Sequence, residues 1–261
     1  MSTGSSSGQG PLVALHELGK HFGAHVAVDR LTLDVAPGEI LALLGPNGAG
    51  KTTTIRMLMG ILSPTTGRAT VTGLDCFAQR AQVMQRVGYL PDEPMFYEHL
   101  RGGEVVRFCG AMRGMPEAEI VQRTEELAER LAFADALDEY AVNYSMGMRK
   151  KLALTCALLH RPVVLVLDEP TNGLDPVATR ALLDIVRETA AAGTAIFYST
   201  HLLDQAERLC HRVAILHRGR LAALGAPAEL RTQLASGGSL EDVFFQVATE
   251  PKTGAGGEAQ S

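Results

Sequence analysis

Apolar and polar positions follow two rhythms along the chain. Residues 12–22 and 25–35 alternate with a period close to two, with turn residues between them, which predicts antiparallel strands. The apolar runs within 39–45, 161–170 and 194–200 predict buried strands, because a strand covered on both faces has no polar side. Longer segments with helical spacing alternate with these runs. This pattern is typical of an α/β fold with a parallel sheet.

Two helices are predicted beside these strands. Segment 52–62 has apolar residues three and four positions apart, at Ile55, Leu58, Met59 and Leu62. Asp175 followed by Pro176 is typical of an N-cap and a first helical residue, and Gly193 is a suitable stop. The second helix is therefore expected between Asp175 and Gly193.

The stretch from Glu104 to about Leu159 interrupts this alternation and is predicted to be mainly helical. Ile120, Leu127 and Leu131 share one face, and the charged residues of 117–130 cover the other. We interpret those charges as a solvated helix face.

Composition limits the classes of protein that fit. The chain has 261 residues, 46% of them hydrophobic and 20% charged, which favours one large globular domain with insertions over a disordered chain. The net charge of −5 gives no overall positive field for binding nucleic acid. We expect mobile tails at 1–10 and 249–261, both rich in small polar residues, and a folded part at 11–248.

Location can also be predicted from the sequence. No apolar run approaches the roughly 18 to 20 residues that span a bilayer, and residues 1–10 have no secretion pattern. The four cysteines are too far apart along the chain to form a zinc-binding motif. They are expected to be reduced, mostly buried thiols, which suits a reducing cytosol. They are Cys76, Cys109, Cys156 and Cys210. A soluble, cytosolic protein is expected.

Residues 45–52, GPNGAGKT, satisfy the phosphate-loop pattern GxxxxGK[ST], directly between a predicted strand and a predicted helix. Glycines let successive N–H groups face a polyphosphate, and the helix adds its positive dipole end. Lys51 is expected to reach the β- and γ-phosphates, and the Thr52 hydroxyl to bind Mg²⁺. The expected nucleotide-binding residues here are Gly45, Pro46, Asn47, Gly48, Ala49, Gly50, Lys51, Thr52 and Thr53.

Two acids end the second buried strand. Asp168 is placed to bind the metal, and Glu169 is a candidate base for the attacking water. Adjacent buried carboxylates are costly unless they serve a purpose. The alternative is a structural ion pair.

Residues 143–148, NYSMGM, resemble the LSGGQ signature of ABC transporter ATPase subunits. Ser145 and Gly147 are kept, whereas Met146 and Met148 replace a glycine and the glutamine, a variant similar to the drug and antibiotic exporter branch. The resemblance covers about residues 11–247 and ends in LEDVFFQV, which looks like that branch's tail helix. It implies a RecA-like core, an antiparallel β subdomain and a helical subdomain at about 93–160.

The resemblance implies further site residues. Phe22 matches the aromatic that stacks on adenine, with Val28 beside it. Asp175 lies in the segment that matches the D-loop, and His201 matches the switch histidine that contacts the γ-phosphate. Lys51, Glu169 and His201 are thus the expected catalytic residues.

One position departs from the family. Asp92 aligns with the glutamine of the Q-loop, with Glu93 as the less favoured register. A carboxylate can bind magnesium but adds negative charge beside the phosphates. Our hypothesis places Asp92 with Thr52 and Asp168 among the metal ligands. Unchanged Mg²⁺ dependence and turnover in Asp92→Ala would contradict it.

The resemblance to ABC transporter subunits also implies two partners, a second ATPase subunit and a membrane permease. One copy of each motif implies a dimer, homodimeric or with a close paralogue, in which Ser145 and Gly147 of one subunit close over the ATP of the other. Because the chain has no membrane span, transport requires a separate permease embedded in the bilayer, which would hold this chain on the inner, cytoplasmic face of the cell membrane. Its docking surface is expected around 91–100, where Met95, Phe96 and Tyr97 either face the permease or pack inward.

Other functions fit the sequence less well. A soluble ABC-type ATPase of DNA repair or the ribosome usually has two ATPase units or a long coiled coil, and neither is seen here. A kinase or GTPase would leave the signature unexplained and lacks an NKxD motif. A non-hydrolysing regulatory subunit conflicts with the intact Lys51, Asp168, Glu169 and His201.

Overall fold

The computed structural model describes residues 10–234 and 239–249. The tails predicted at 1–10 and 249–261 lie outside the described residues except for Gly10 and Thr249, and Thr249 closes the last helix. Within the described part of the chain, no helix is long and apolar enough to cross a membrane.

The described residues form ten strands, nine α-helices and two short 3₁₀ helices, Ala134–Ala136 and Ala141–Asn143. The strands are β1 (Val13–Phe22), β2 (His25–Val35), β3 (Ile40–Leu44), β4 (Thr66–Val71), β5 (Leu74–Asp75), β6 (Val87–Leu90), β7 (Val164–Asp168), β8 (Ala195–Ser199), β9 (Arg212–His217) and β10 (Arg220–Gly225). The helices are α1 (Lys51–Leu58), α2 (Arg80–Met84), α3 (Gly102–Met112), α4 (Glu117–Arg130), α5 (Met146–Leu158), α6 (Pro176–Ala191), α7 (Leu203–Leu209), α8 (Pro227–Leu234) and α9 (Leu240–Thr249).

The strands form two sheets. An antiparallel sheet has the order β2-β1-β4-β5, and a six-stranded sheet has the order β10-β9-β3-β8-β7-β6. In the larger sheet β9, β3, β8, β7 and β6 run parallel, while β10 is antiparallel to β9. The predicted α/β class with an added antiparallel sheet is confirmed.

The central strands are apolar throughout because both faces of their sheet are covered. Along β3, Leu41 and Leu43 pack into a core shared with the antiparallel sheet and α1. Ile40, Ala42 and Leu44 point the other way, into a core shared with α3 to α6. The period of two along a strand thus distributes a continuous apolar run between two layers.

One predicted helix is shorter than expected. Helix α1 ends at Leu58, so Leu62 lies beyond it. Gly60 has a φ of +63°, and a Cβ there would lie 2.1 Å from the Cys76 carbonyl oxygen. A glycine in this left-handed conformation ends the helix where apolar spacing alone predicts its continuation.

The other predictions for the elements are confirmed. The segment between β6 and β7 is mainly helical, and Ile120, Leu127 and Leu131 are buried. Asp175 caps α6 and Pro176 is its first residue. The bounds of the predicted helical subdomain, 93–160, remain our proposal; α3, α4 and α5 lie inside them.

The parallel strands bring the predicted site residues to one edge of the sheet. The phosphate loop follows β3, His201 follows β8, Glu169 follows β7 and Asp92 follows β6. These four strands are neighbours in the order β3-β8-β7-β6 and run parallel, so their carboxyl ends meet at the same edge. This edge is the usual ligand side of such a sheet.

Candidate functional site

The phosphate loop connects the buried strand β3 to α1. Gly50, the N-cap of α1, has a φ of +106°, and a Cβ there would lie 2.6 Å from the Ala27 carbonyl oxygen. Gly48 has a φ of +79° and open space where a Cβ would be. Gly50 therefore permits close packing of the loop against Ala27, whereas Gly48 adopts a positive φ at a position with open space around it.

Lys51 turns its ammonium back over this loop. Its Nζ donates to the Gly45 carbonyl at 2.6 Å and approaches the Pro46 carbonyl at 3.5 Å. Burial lowers the pKa of Lys51, and the nearby carboxylates of Glu169 and Asp168 oppose that shift. The ammonium is thus placed between the loop and the acidic strand end, where a polyphosphate would give it stronger partners.

A cavity of about 230 Å³ opens over the loop. The side chain of Phe22 is 51% exposed beside it, so its ring face is available for stacking on a base. Val28, expected next to that ring, is fully buried in the core, and Ala27 and His25 line the cavity instead. The predicted binding residues in the lining are Phe22, Pro46, Asn47, Gly48, Ala49, Gly50, Lys51, Thr52 and Thr53.

Glu169 and His201 are in direct contact. Glu169 Oε2 lies 2.9 Å from His201 Nδ1. The Glu169 backbone has a φ of +45°, an uncommon conformation for a residue with a side chain. Such strain is retained where surrounding contacts fix it, and it is frequent at active sites. The arrangement can hold a carboxylate that accepts a proton from water, with the imidazole beside it.

The oxygen donors at the strand ends suit Mg²⁺. Asp168 is buried, and burial together with the charges of Asp92 and Glu169 raises its pKa. A cation here would stabilise the ionised carboxylate. The Thr52 side chain lies in the lining of the phosphate cavity. A carboxylate and a hydroxyl are hard oxygen ligands of the kind that Mg²⁺ takes alongside phosphates, so both residues fit this metal.

Asp92 has protein partners in this structure. Its Oδ1 lies 3.3 Å from Lys150 Nζ and accepts a hydrogen bond from Asn172 Nδ2 at 3.2 Å. The sequence reasoning missed both partners. A signal was available for Lys150, because it occupies the buried stripe of α5 with Ala153, Leu154 and Ala157. A charged residue at such a position needs a specific partner.

The signature residues lie at the start of α5. Ser145 is the N-cap, and its Oγ accepts from the Met148 N–H at 3.3 Å, which leaves the hydroxyl proton free to donate elsewhere. A Cβ on Gly147 would lie 3.0 Å from the Gly173 carbonyl oxygen, so the signature packs on the segment before α6. Ser145 and Gly147 are absent from the described lining of the phosphate cavity in their own chain.

Asp175, also expected at the nucleotide, uses its carboxylate as a helix cap. Its Oδ1 accepts from the N–H groups of Val177 at 2.9 Å and Ala178 at 2.8 Å. The bond from Ala178 makes the largest contribution to lowering the pKa of Asp175.

A second cavity, of about 370 Å³, also borders the phosphate loop. It brings His201 together with Gly45, Pro46 and Asn47, and Phe244 from α9 closes it. The likeness of residues 240–247 to the tail helix of the exporter branch implied α9, whereas its position beside the loop is a tertiary feature. Residues from the end of the chain thus adjoin the candidate site.

Comparisons with known proteins agree on one family. The sequence profile described as ABC transporter matches residues 28–172. An ABC transporter ATP-binding protein of Bacillus subtilis, YdbJ, is 38% identical over 214 residues, covering 82% of this chain and 68% of that protein. The Nod factor export ATP-binding protein I of Cupriavidus metallidurans is 36% identical over 219 residues, covering 84% and 72%.

A solved structure described as the ATP-binding subunit of an ABC transporter has the same fold. It superposes with a TM-score of 0.86 at 34% identity, covering 90% of this chain and 99% of that one. The profile match includes the phosphate loop, the signature and the acidic strand end. The chain therefore belongs to the ABC transporter family as an ATP-binding subunit, an ATPase that uses ATP with Mg²⁺, in a family whose ATP-binding subunits pair with membrane permease components.

Proposed function

We propose that two copies of this chain, or this chain and a close paralogue, hydrolyse ATP in two shared sites and drive a permease that exports its substrate. Within each site Lys51 binds the phosphates, Thr52 and Asp168 hold the metal, and Phe22 stacks on the base. Bound ATP would supply the phosphoanhydride bond that is cleaved, and bound Mg²⁺ would neutralise the negative charge of its phosphates. Glu169 accepts the proton of the attacking water at its carboxylate, and His201 orients that carboxylate.

One observation carries this proposal. The phosphate loop, the Glu169–His201 contact and Asp168 share one edge of the sheet, whereas Ser145 caps a different helix and is absent from the described lining of the phosphate cavity. A serine hydroxyl with a free proton at a helix start is suited to binding an anion. A second subunit can bring such a serine to the open side of the nucleotide, which completes the site only on closure.

The surface expected to meet the permease is partly exposed. Met95 is 89% exposed and Tyr97 is 75% exposed, whereas Phe96 packs against the core. A separate groove of about 530 Å³, lined by α2, β6, α3 and α5, has the exposed apolar side chains of Phe108 and Met112. Apolar side chains in such a groove favour a protein partner. Export is supported by relatives such as the Nod factor export ATP-binding protein I. A cytoplasmic position on the inner face of the membrane is part of the same proposal.

ATP turnover by the purified full-length chain tests the assignment of the site. Lys51→Ala and Glu169→Gln should each lower the turnover rate by at least about a hundredfold, since they remove the phosphate-binding charge and the base. Glu169→Gln should still bind ATP and accumulate as a dimer, because only the proton acceptor is lost. Light scattering with and without ATP measures that dimer.

The matched control is Glu125→Gln. Glu125 is an exposed acid on α4, away from the site, and its substitution should leave turnover close to the native rate. Native turnover in Glu169→Gln would contradict the role of Glu169. Failure of Glu169→Gln to dimerise with ATP would contradict the shared sites.

A further inference from the structure

A buried ammonium connects the signature helix to the acidic strand end. The side chain of Lys150 is 1% exposed and lies on the apolar stripe of α5. Burying a lysine is costly unless specific partners compensate for the lost water. Burial lowers the pKa of Lys150, and Asp92 is the largest opposing influence. The buried ammonium of Lys150 must therefore have specific partners that compensate for its desolvation.

Lys150 has partners on two loops of the site. Its Nζ donates to the carbonyl oxygen of Glu169 and forms an ion pair with Asp92 at 3.3 Å. Asn172 donates to the same Asp92 oxygen at 3.2 Å. One ammonium thus joins α5, the loop after β6 and the loop after β7.

The contact to Glu169 falls on the strained residue of the site. The Glu169 N–H donates to the Ser199 carbonyl at 2.9 Å, and its carbonyl accepts from Lys150 and from the Asn172 N–H at 3.2 Å. A left-handed backbone at a residue with a Cβ persists only when its neighbours hold it. Lys150 therefore helps to fix the backbone of Glu169, whose side chain contacts His201.

The same helix carries Ser145 five residues earlier, about 7.5 Å along the axis. A rigid helix transmits a displacement at its first turn to its second. Ser145 is outside its own phosphate cavity, whereas Lys150 holds the loop that carries Glu169. A displacement of the Ser145 end of α5 would therefore move the loop that carries the Glu169 carboxylate.

We propose that Lys150 is a positioning residue: it holds the Glu169 backbone for catalysis, with Asp92 as its counter-charge, and links the signature serine to the subunit's own base. This inference rests on the proposed ATPase site. It gives the acid at position 92 a purpose other than metal binding, since a buried ammonium needs an anionic partner.

The test compares Lys150→Met with Lys151→Met in the full-length chain. Both remove one ammonium from α5, but Lys151 contacts the Ala132 carbonyl at 3.3 Å, away from the site. Lys150→Met should lower kcat roughly tenfold or more, because the carboxylate is misplaced, while the Kd for ATP stays within about twofold. Lys150→Gln keeps an N–H donor for the Glu169 carbonyl and should recover part of kcat.

Hydrogen exchange gives a second readout that needs no turnover. Amides of Glu169 to Asn172 should exchange faster in Lys150→Met than in Lys151→Met. Native kcat and native exchange in Lys150→Met would overturn the inference, as would equal effects of the two variants. If the native chain had no ATP turnover, the proposed function would fail, whereas the exchange comparison would still decide the role of Lys150.

Discussion

The side chains of Lys150 and Asp92 differ in solvent exposure. The Lys150 side chain is 1% exposed and that of Asp92 is 46% exposed, so an unpaired carboxylate would remain solvated while an unpaired ammonium would not. The cost of breaking an ion pair comes chiefly from the charge left without water or a partner. The two halves of this pair are therefore unequal in their contribution to stability.

We accordingly expect Asp92→Ala to lower the free energy of unfolding by about 1–3 kcal/mol, and Lys150→Met to lower it by less. Asp92→Ala made in the Lys150→Met background should have little further effect, since no buried ammonium remains. Urea denaturation of the four proteins measures these differences. Additive effects of the two substitutions would show that the side chains act independently.

At the scale of elements, β6 must approach α5 closely to bring Asp92 to Lys150. Gly88 in β6 makes this approach possible, because a Cβ there would lie 2.2 Å from the Ala157 carbonyl oxygen of α5. That contact is to backbone, which cannot rotate away as a side chain can. The glycine thus sets the distance between a strand and a helix that both carry site residues.

Gly88→Ala should separate β6 from α5 and lower the free energy of unfolding by about 1–3 kcal/mol, as overpacking does in other cores. Gly103→Ala in α3 is the matched control, since a Cβ there meets nothing closer than the Leu137 carbonyl oxygen at 3.5 Å. Thermal unfolding compares the two variants. Equal melting temperatures would contradict the role given to Gly88.

At the scale of the whole molecule, the proposed sites are divided between two chains. A subunit carrying Lys51→Ala can still offer its Ser145, and a subunit carrying Ser145→Ala can still offer its Lys51. A mixed dimer then has one site with both residues, although each variant alone has none. This follows from two-fold symmetry, in which each site takes one part from each chain.

Mixing equal amounts of Lys51→Ala and Ser145→Ala should therefore restore roughly a quarter of native turnover, since half of the dimers are mixed and each has one intact site of two. Steady-state ATPase rates measure the recovery. As a control, Lys51→Ala mixed with the double variant Lys51→Ala/Ser145→Ala should stay inactive. No recovery in the first mixture would place Ser145 and Lys51 in the same chain's site.

The sequence by itself determined the features that depend on near neighbours. The phosphate loop, the Asp175 cap and the apolar runs of β3, β7 and β8 could be predicted because turn chemistry, capping and periodicity act within a few residues. Apolar spacing alone placed the end of α1 too late, because it ignores the helix-stop preference of Gly60; the close approach of Cys76, which excludes a side chain there, is visible only in the tertiary structure.

Only the tertiary structure decided which distant groups meet. The partners of Asp92 are 58 and 80 residues away along the chain, and those of Glu169 include His201 and Lys150. It also buried Val28, which the family resemblance had implied beside the adenine, because β2 turns that side chain into the core. Local pattern specifies an element, whereas the packing of sheet and helices selects the charges that become neighbours.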